Sequence, residues 1–207
     1  MTDGPAPLRA LALVCSLKPS PAPSSSALIA AHVVDTLTTQ GADCETIRCV
    51  DFDIAPGVEA DMGNGDQWPQ IRAKVLDADI LLLSTPIWLG HPSSVTQRVL
   101  ERLDAELSNK DADGRPVMTG KVAIVSVVGN EDGAHKVIAD VFQALNDVGF
   151  TIPANSGIYW VGEAMGDINY VDLKEVPDVI RDTIDMAASN AAHLARVLQA
   201  AAYPGLD

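Results

Sequence analysis

Residues 80–103, ILLLSTPIWLGHPSSVTQRVLERL, constrain this chain more than any other stretch. They open as an aliphatic run with no exposed face, which suits a parallel strand covered on both sides. Pro86 has no N–H to give a ladder, so the strand is expected to stop there. A short loop with Trp88 and Gly90 follows. An amphipathic helix then starts after Pro92-Ser93-Ser94, with Val95, Val99, Leu103 and Leu107 expected on its core face. The loop therefore sits at a strand's carboxyl end, where open parallel sheets bind ligands.

Two other strands lead into loops of the same kind. Residues 8–15, LRALALVC, read as a buried strand. They are followed by SLKPSPAPSSS and a helix over about residues 27–40, closed by Gly41. Backbone N–H groups and a helix N-terminus in this arrangement can hold an anion, with hydroxyls from Ser24, Ser25 and Ser26 and a charge from Lys18. The loop has no glycine and is neither a Walker loop nor a GxGxxG fingerprint; an ordinary serine N-cap remains an alternative. KVAIVSVV, from Lys121, is another apolar strand, and its loop Gly129-Asn130-Glu131-Asp132-Gly133-Ala134-His135 opens a helix that reaches about Val148.

The remaining segments complete an alternating pattern. A second strand is expected over residues 43–50, near a sheet edge because of its polar content, and a short helix over residues 68–76. Asp51 and Asp53, in the loop between them, lack the glycine and terminal glutamate of a calcium loop. A fifth strand is expected over residues 150–154. Residues 155–176 read either as a loop over the site mouth or as a subunit contact. A last helix should run from Pro177 through Leu198, with Val179, Ile180, Ile184, Met186, Ala187, Leu194 and Val197 on its packed face.

Strands alternating with helices imply a doubly wound α/β fold: a five-stranded parallel sheet of order 2-1-3-4-5 within one domain spanning residues 1–207. Its switch point lies between strands one and three, which brings the serine-rich loop beside TPIWLGHPS. Trp88 then offers an aromatic surface to a flat ring, or serves packing alone. Fourteen Lys plus Arg against 28 Asp plus Glu leave a net charge of −14, which disfavours nucleic acid and anionic membranes. That acidity suits solubility or steering toward a basic partner. No apolar run approaches the roughly 18 residues of a membrane span, and the N-terminus lacks a leader pattern; a cytoplasmic location is expected. Cys15, Cys44 and Cys49 fit reduced thiols used in packing.

LVCSLKPSPAPSSSALIA, ADILLLSTPIWLGHPSSVTQRVLERLD and VVGNEDGAH, in that order, resemble the flavodoxin-like superfamily. The similarity is greatest to its NAD(P)H-dependent FMN reductase type and covers roughly residues 8–150. The resemblance implies that the first loop binds the FMN phosphate through Ser16, Lys18, Ser24, Ser25 and Ser26. It implies that Pro86, Ile87, Trp88, Leu89 and Gly90 pack on the isoalloxazine, and that Gly129, Asn130, Asp132, Gly133 and His135 border its polar edge. The chain departs from the family's common pattern in having Lys18 in the region of the first loop's arginine, and Trp88-Leu89 where a Tyr-Asn pair follows the proline.

The implied activity is transfer of hydride from NAD(P)H, as co-substrate, through flavin N5 to a flavin, quinone or similar planar acceptor, in a homodimer. Such chemistry requires no side chain as nucleophile or general base, and His91 and His135 read as contact or solvated residues. The alternatives are a flavodoxin-like FMN electron carrier without nicotinamide oxidation, and a flavin-free anion-binding module. No G-x-S-x-G elbow supports a hydrolase, and strand one ends in Cys15-Ser16 rather than the acidic pair of a phosphoacceptor domain.

Overall fold

The computed structural model describes residues 6–205; the first five residues, part of the stretch weighed above for a leader, and the last two lie outside them. Strands β1 (Leu8–Val14), β2 (Ala42–Arg48), β3 (Ile80–Trp88), β5 (Val122–Gly129) and β6 (Gly157–Val161) form a parallel sheet in the order β2-β1-β3-β5-β6. A two-residue strand β4 (His91–Pro92) folds back antiparallel on the end of β3. Apart from that hairpin, this is the expected doubly wound order, with the polar strand β2 at an edge.

Side chains alternate along the inner strands and build two cores. Leu11, Leu13, Leu81, Leu83, Val125 and Val127 face helices α2 (Trp68–Asp77), α3 (Ser94–Leu103) and α4 (Ala134–Asp147). Ala10, Ala12, Ile80, Leu82, Val122 and Ile124 face α1 (Ser25–Thr39) and α5 (Asp178–Ala200). Burial on both faces explains why these strands read as continuous apolar runs.

Four expectations are corrected. Strand β3 passes through Pro86, which pairs in register with Val128. Cys15 N donates to Ser84 O, so alternate residues of β3 turn their backbone groups toward β1; at Pro86 β1 has already ended, and no partner there needs the missing N–H. The last strand is Gly157–Val161 rather than 150–154, where Thr151 alone bridges Val122 before Pro153 and the left-handed Asn155 (φ 58°) turn the chain. Leu107 is 49% exposed because α3 ends at Leu103 and residues 104–108 tighten into a 3₁₀ turn, which shifts the helical face. In α5 the large Val179, Met186 and Val197 lie outward. The helix packs through Ile180, Ile184, Ala187, Ala188, Ala191, Ala192 and Ala195, since a row of alanines lets it lie close to its neighbours.

The long β2–α2 connection is held by a buried ion pair. Arg102 Nη2 lies 2.7 Å from Asp66 Oδ2, both side chains fully buried. Arg102 also donates to Ala55 O at 3.0 Å and to Glu59 O at 2.8 and 3.0 Å, and its guanidinium lies over the Trp68 ring. Asp66 accepts from the N–H groups of Ala55, Met62 and Trp68. Burial opposes its charge, but Arg102 and these N–H groups outweigh burial and hold its carboxyl well below the usual range. This contribution is fully present above the unfolded pKa of about 3.9 and is lost as pH falls through the lowered folded value. Arg102→Met, which strands Asp66, is expected to cost about 3–5 kcal/mol in urea unfolding at neutral pH, with a smaller deficit in strong acid.

Candidate functional site

The first loop is rigid without glycine because other elements hold it. Ser16, nearly buried, accepts from Lys18 N at 3.1 Å. Arg48, at the end of β2, donates to Ala22 O at 2.9 Å and to Lys18 O at 3.4 Å. Asp51 accepts from Ser20 N at 2.8 Å, and hydrogen bonding from Ser20 lowers its pKa. Ser24 caps α1 by accepting from Ala27 N. Ser26 is buried, and its carbonyl accepts from Ser84 Oγ at 2.7 Å, which pins the start of α1 to β3. Among the described residues no hydrogen bond engages the N–H of Ser25 or Ser26. Two open N–H groups at the N-terminus of a 15-residue helix, with serine hydroxyls and the exposed Lys18 alongside, fit a phosphate.

The second loop is the tip of the β3–β4 hairpin. Leu89 (φ 52°) and Gly90 (φ 72°) both adopt left-handed backbone, as a two-residue type I′ turn requires. Leucine is unfavourable there, yet Leu89 is 89% exposed, and Trp88 beside it is 56% exposed. Beneath them, buried hydroxyls join the loops. Ser93 Oγ donates to Cys15 O at 2.7 Å, Ser93 N donates to Thr85 Oγ1 at 3.2 Å, and Thr96 Oγ1 donates to Thr85 Oγ1 at 2.7 Å.

The third loop crosses the second at closest approach. Gly133 has φ 120°, and a Cβ there would lie 3.0 Å from Gly90 Cα. Gly90 N donates to Glu131 Oε1 at 3.3 Å, and Asp132 accepts from Gly133 N at 2.7 Å. A Cβ on Gly129 would lie 3.0 Å from Ile87 Cβ. Beyond β6, residues 162–172 return across this edge as a strap. Gly162 N donates to Gly129 O, Met165 N to Asn130 O, and Asn130 Nδ2 to Gly166 O at 2.9 Å. At its far end Val171 N donates to Ser25 Oγ at 3.2 Å.

The structure thus brings Ser16, Lys18, Ser24, Ser25, Ser26, Pro86, Trp88, Leu89, Gly90, Gly129, Asn130, Asp132 and Gly133 to one edge of the sheet. Ile87 reaches it through backbone only, since its side chain is buried. His135 stands edge-on to Tyr159 of β6 at 4.9 Å between ring centroids. A hollow of about 480 Å³ on the β2 and α2 side of the first loop, lined by Ser20, Arg48, Asp51, Phe52, Gln70 and Lys74, includes none of the sequence-predicted site residues. Sequence reasoning missed Arg48, Glu131 and the hydroxyls of Ser84, Ser93, Thr85 and Thr96, of which only Ser93 carried a signal, as a helix start. The strap falls within residues 155–176, for which a loop over the site mouth is one of the two readings of the sequence.

This architecture, with its loops gathered at the β1/β3 switch point, defines a flavodoxin-like protein. A family model described as NADPH-dependent FMN reductase matches residues 8–166, and the chain belongs to that family. It is 32% identical over 207 aligned residues to 8-demethyl-8-aminoriboflavin-5′-phosphate synthase of Streptomyces davaonensis, covering 95% of this chain and 80% of that protein. The crystal structure of RosB with bound 8-demethyl-8-formylriboflavin-5′-phosphate superposes with a TM-score of 0.86 at 30% identity, over 95% of this chain and 82% of that one. A protein of Mycobacterium bovis named divalent metal cation transporter MntH is 37% identical over 203 residues; the match covers 94% of this chain but spans only 30% of that relative's length. No helix among the described residues is long and apolar enough to cross a membrane.

The loop crossing gives a direct test. Gly133→Ala meets both an unfavourable φ and the Gly90 backbone, and is expected to cost about 1–3 kcal/mol. Gly120→Ala, also left-handed (φ 93°) but in open space, should cost less when the two are compared by urea unfolding.

Proposed function

We propose that this chain is an FMN-dependent NAD(P)H oxidoreductase serving a planar acceptor such as a flavin or quinone. The observation that carries this reading is the serine-rich start of α1, with its open N–H groups, brought beside the exposed Trp88-Leu89 tip at the switch point of the sheet. Family membership supports it. Bound FMN would supply acceptance of hydride from the nicotinamide at N5 and its delivery to the second substrate. The chain's own part is to bind and orient. Ser16, Lys18, Ser24, Ser25 and Ser26 hold the phosphate; Pro86, Trp88, Leu89 and Gly90 flank the ring, with Ile87 contributing backbone. Gly129, Asn130, Asp132, Gly133 and His135 border its polar edge.

The hairpin tip leaves an apolar face on which a nicotinamide and a flat acceptor can stack in turn. We further take the chain to work as a single domain within a cytoplasmic homodimer on small molecules; its net charge of −14 is adverse to nucleic acid. A second reading is favoured by the similarity to the Streptomyces davaonensis synthase and to the RosB structure, whose name and bound intermediate concern modified riboflavin 5′-phosphates. In that reading a flavin 5′-phosphate is the substrate at the same site and leaves chemically altered.

Visible spectroscopy of the purified protein with FMN, followed by anaerobic NADH or NADPH and chromatography of the released flavin, separates the readings. Bleaching with unchanged FMN recovered after reoxidation is expected. Binding without bleaching would indicate an electron carrier, an altered flavin would indicate the second reading, and absence of binding would overturn both. Ser25→Asp should leave α1 intact, because a carboxylate suits a helix N-terminus, yet weaken FMN by about tenfold or more through repulsion of the phosphate. Unchanged affinity in a fluorescence titration would place the phosphate elsewhere.

A further inference from the structure

Ser25 is the one residue of the first loop whose hydroxyl is held from the opposite end of the chain. Its Oγ accepts the Val171 N–H at 3.2 Å, across 146 positions of sequence. One lone pair is thereby occupied, and among the described residues no acceptor takes the hydroxyl proton. That leaves the hydroxyl proton free for an acceptor outside the protein, at a helix N-terminus where the N–H groups of Ser25 and Ser26 are also open.

Val171 is aimed by a fixed piece of chain. Residues 170–172 form a 3₁₀ turn closed by a reciprocal capping box, in which Asp172 Oδ2 accepts from Asn169 N at 3.0 Å and from Asn169 Nδ2 at 2.8 Å. Tyr170 is buried below it, with its hydroxyl 2.8 Å from His32 Nδ1 of α1. The near end of the strap is tied to the third loop through Asn130, whose amide reaches Gly166 O and Asn169 Oδ1. Hydrogen bonding from Asn169 lowers the pKa of Asp172, and the nearby Lys18 charge lowers it further.

We propose that residues 162–172 act as a phosphate latch, orienting the Ser25 hydroxyl so that the strap, and not the first loop alone, sets discrimination between flavin 5′-phosphate and unphosphorylated flavin. Val171, Asn169 and Asp172 are positioning residues in this scheme. Asn169 to Asp172 lie beyond residue 166, where the match to the family model ends. The inference rests on the first loop being the phosphate site, as proposed above.

Affinities for FMN and riboflavin, measured by fluorescence titration on the full chain, test it. Wild-type protein is expected to prefer FMN. Asn169→Ala should lower the FMN-to-riboflavin affinity ratio by roughly tenfold, the loss of about one charge-assisted hydrogen bond, with riboflavin affinity unchanged. Ser25→Ala should lower the ratio similarly, and the double variant no further, because the latch acts through that hydroxyl. An unchanged ratio in Asn169→Ala, or parallel loss of both flavins, overturns the latch. Equal wild-type affinity for the two flavins overturns the phosphate assignment itself. If Asn169→Ala does not fold, Asn169→Ser keeps a cap acceptor but loses the Nδ2 bond, and the same fall in ratio is expected; its absence overturns the proposal.

Discussion

The hydroxyl of Ser93 ties the end of β1 to the start of α3. It donates its proton to Cys15 O, where β1 gives way to the first loop, and accepts from Thr96 N as the cap of α3. The backbone N–H of the same residue donates to Thr85 Oγ1 in β3. One serine thus fixes the first loop, the hairpin and the start of α3 to one another, in a place where an unmade hydrogen bond would cost about 1–3 kcal/mol. Thr85 donates onward to Pro86 O, and Thr96 to Thr85, so each hydroxyl spends its single proton once.

Around that knot the three loops are stiffened by different means. Arg48 and Asp51 clamp the first from the edge strand. The second is a tight turn that accepts an unfavourable leucine backbone, and the third is held by close approach at Gly133. Groups held by neighbours need not be reordered when a ligand arrives, which is the practical value of preorganisation. The helix that starts at Ser93 also carries Arg102 in its last turn, so the same ten residues anchor the site at one end and the β2–α2 connection at the other.

The order of the sheet was legible because inner strands buried on both faces leave unmistakable aliphatic runs, as at Leu81 to Leu83 and Val122 to Val125. The three loops followed from where those runs end. The fifth strand was misplaced because Phe150 and Ile152 look like strand residues, whereas Pro153 and Asn155 turn the chain before it can pair. The face of α5 was misread because hydrophobic size marks burial only where there is room; against the sheet and α1 the contact is made of alanine. Nothing in the sequence singles out Arg102 and Asp66, since no local pattern announces a partner 36 positions away. The strap lies in a stretch that the sequence leaves open between a loop over the site mouth and a subunit contact: Asn130, Asn169 and Val171 acquire meaning only when the fold brings distant segments together.

Pro86 has a further consequence for the crevice beside it. The β1 pairing of β3 ends at Ser84, and unpaired strand edges invite pairing by any extended segment that drifts in. A proline there supplies no N–H on the open side, so an intruding backbone finds one rung missing at the very start of the ladder. The edge beside the first two loops is thereby less open to a run of peptide groups.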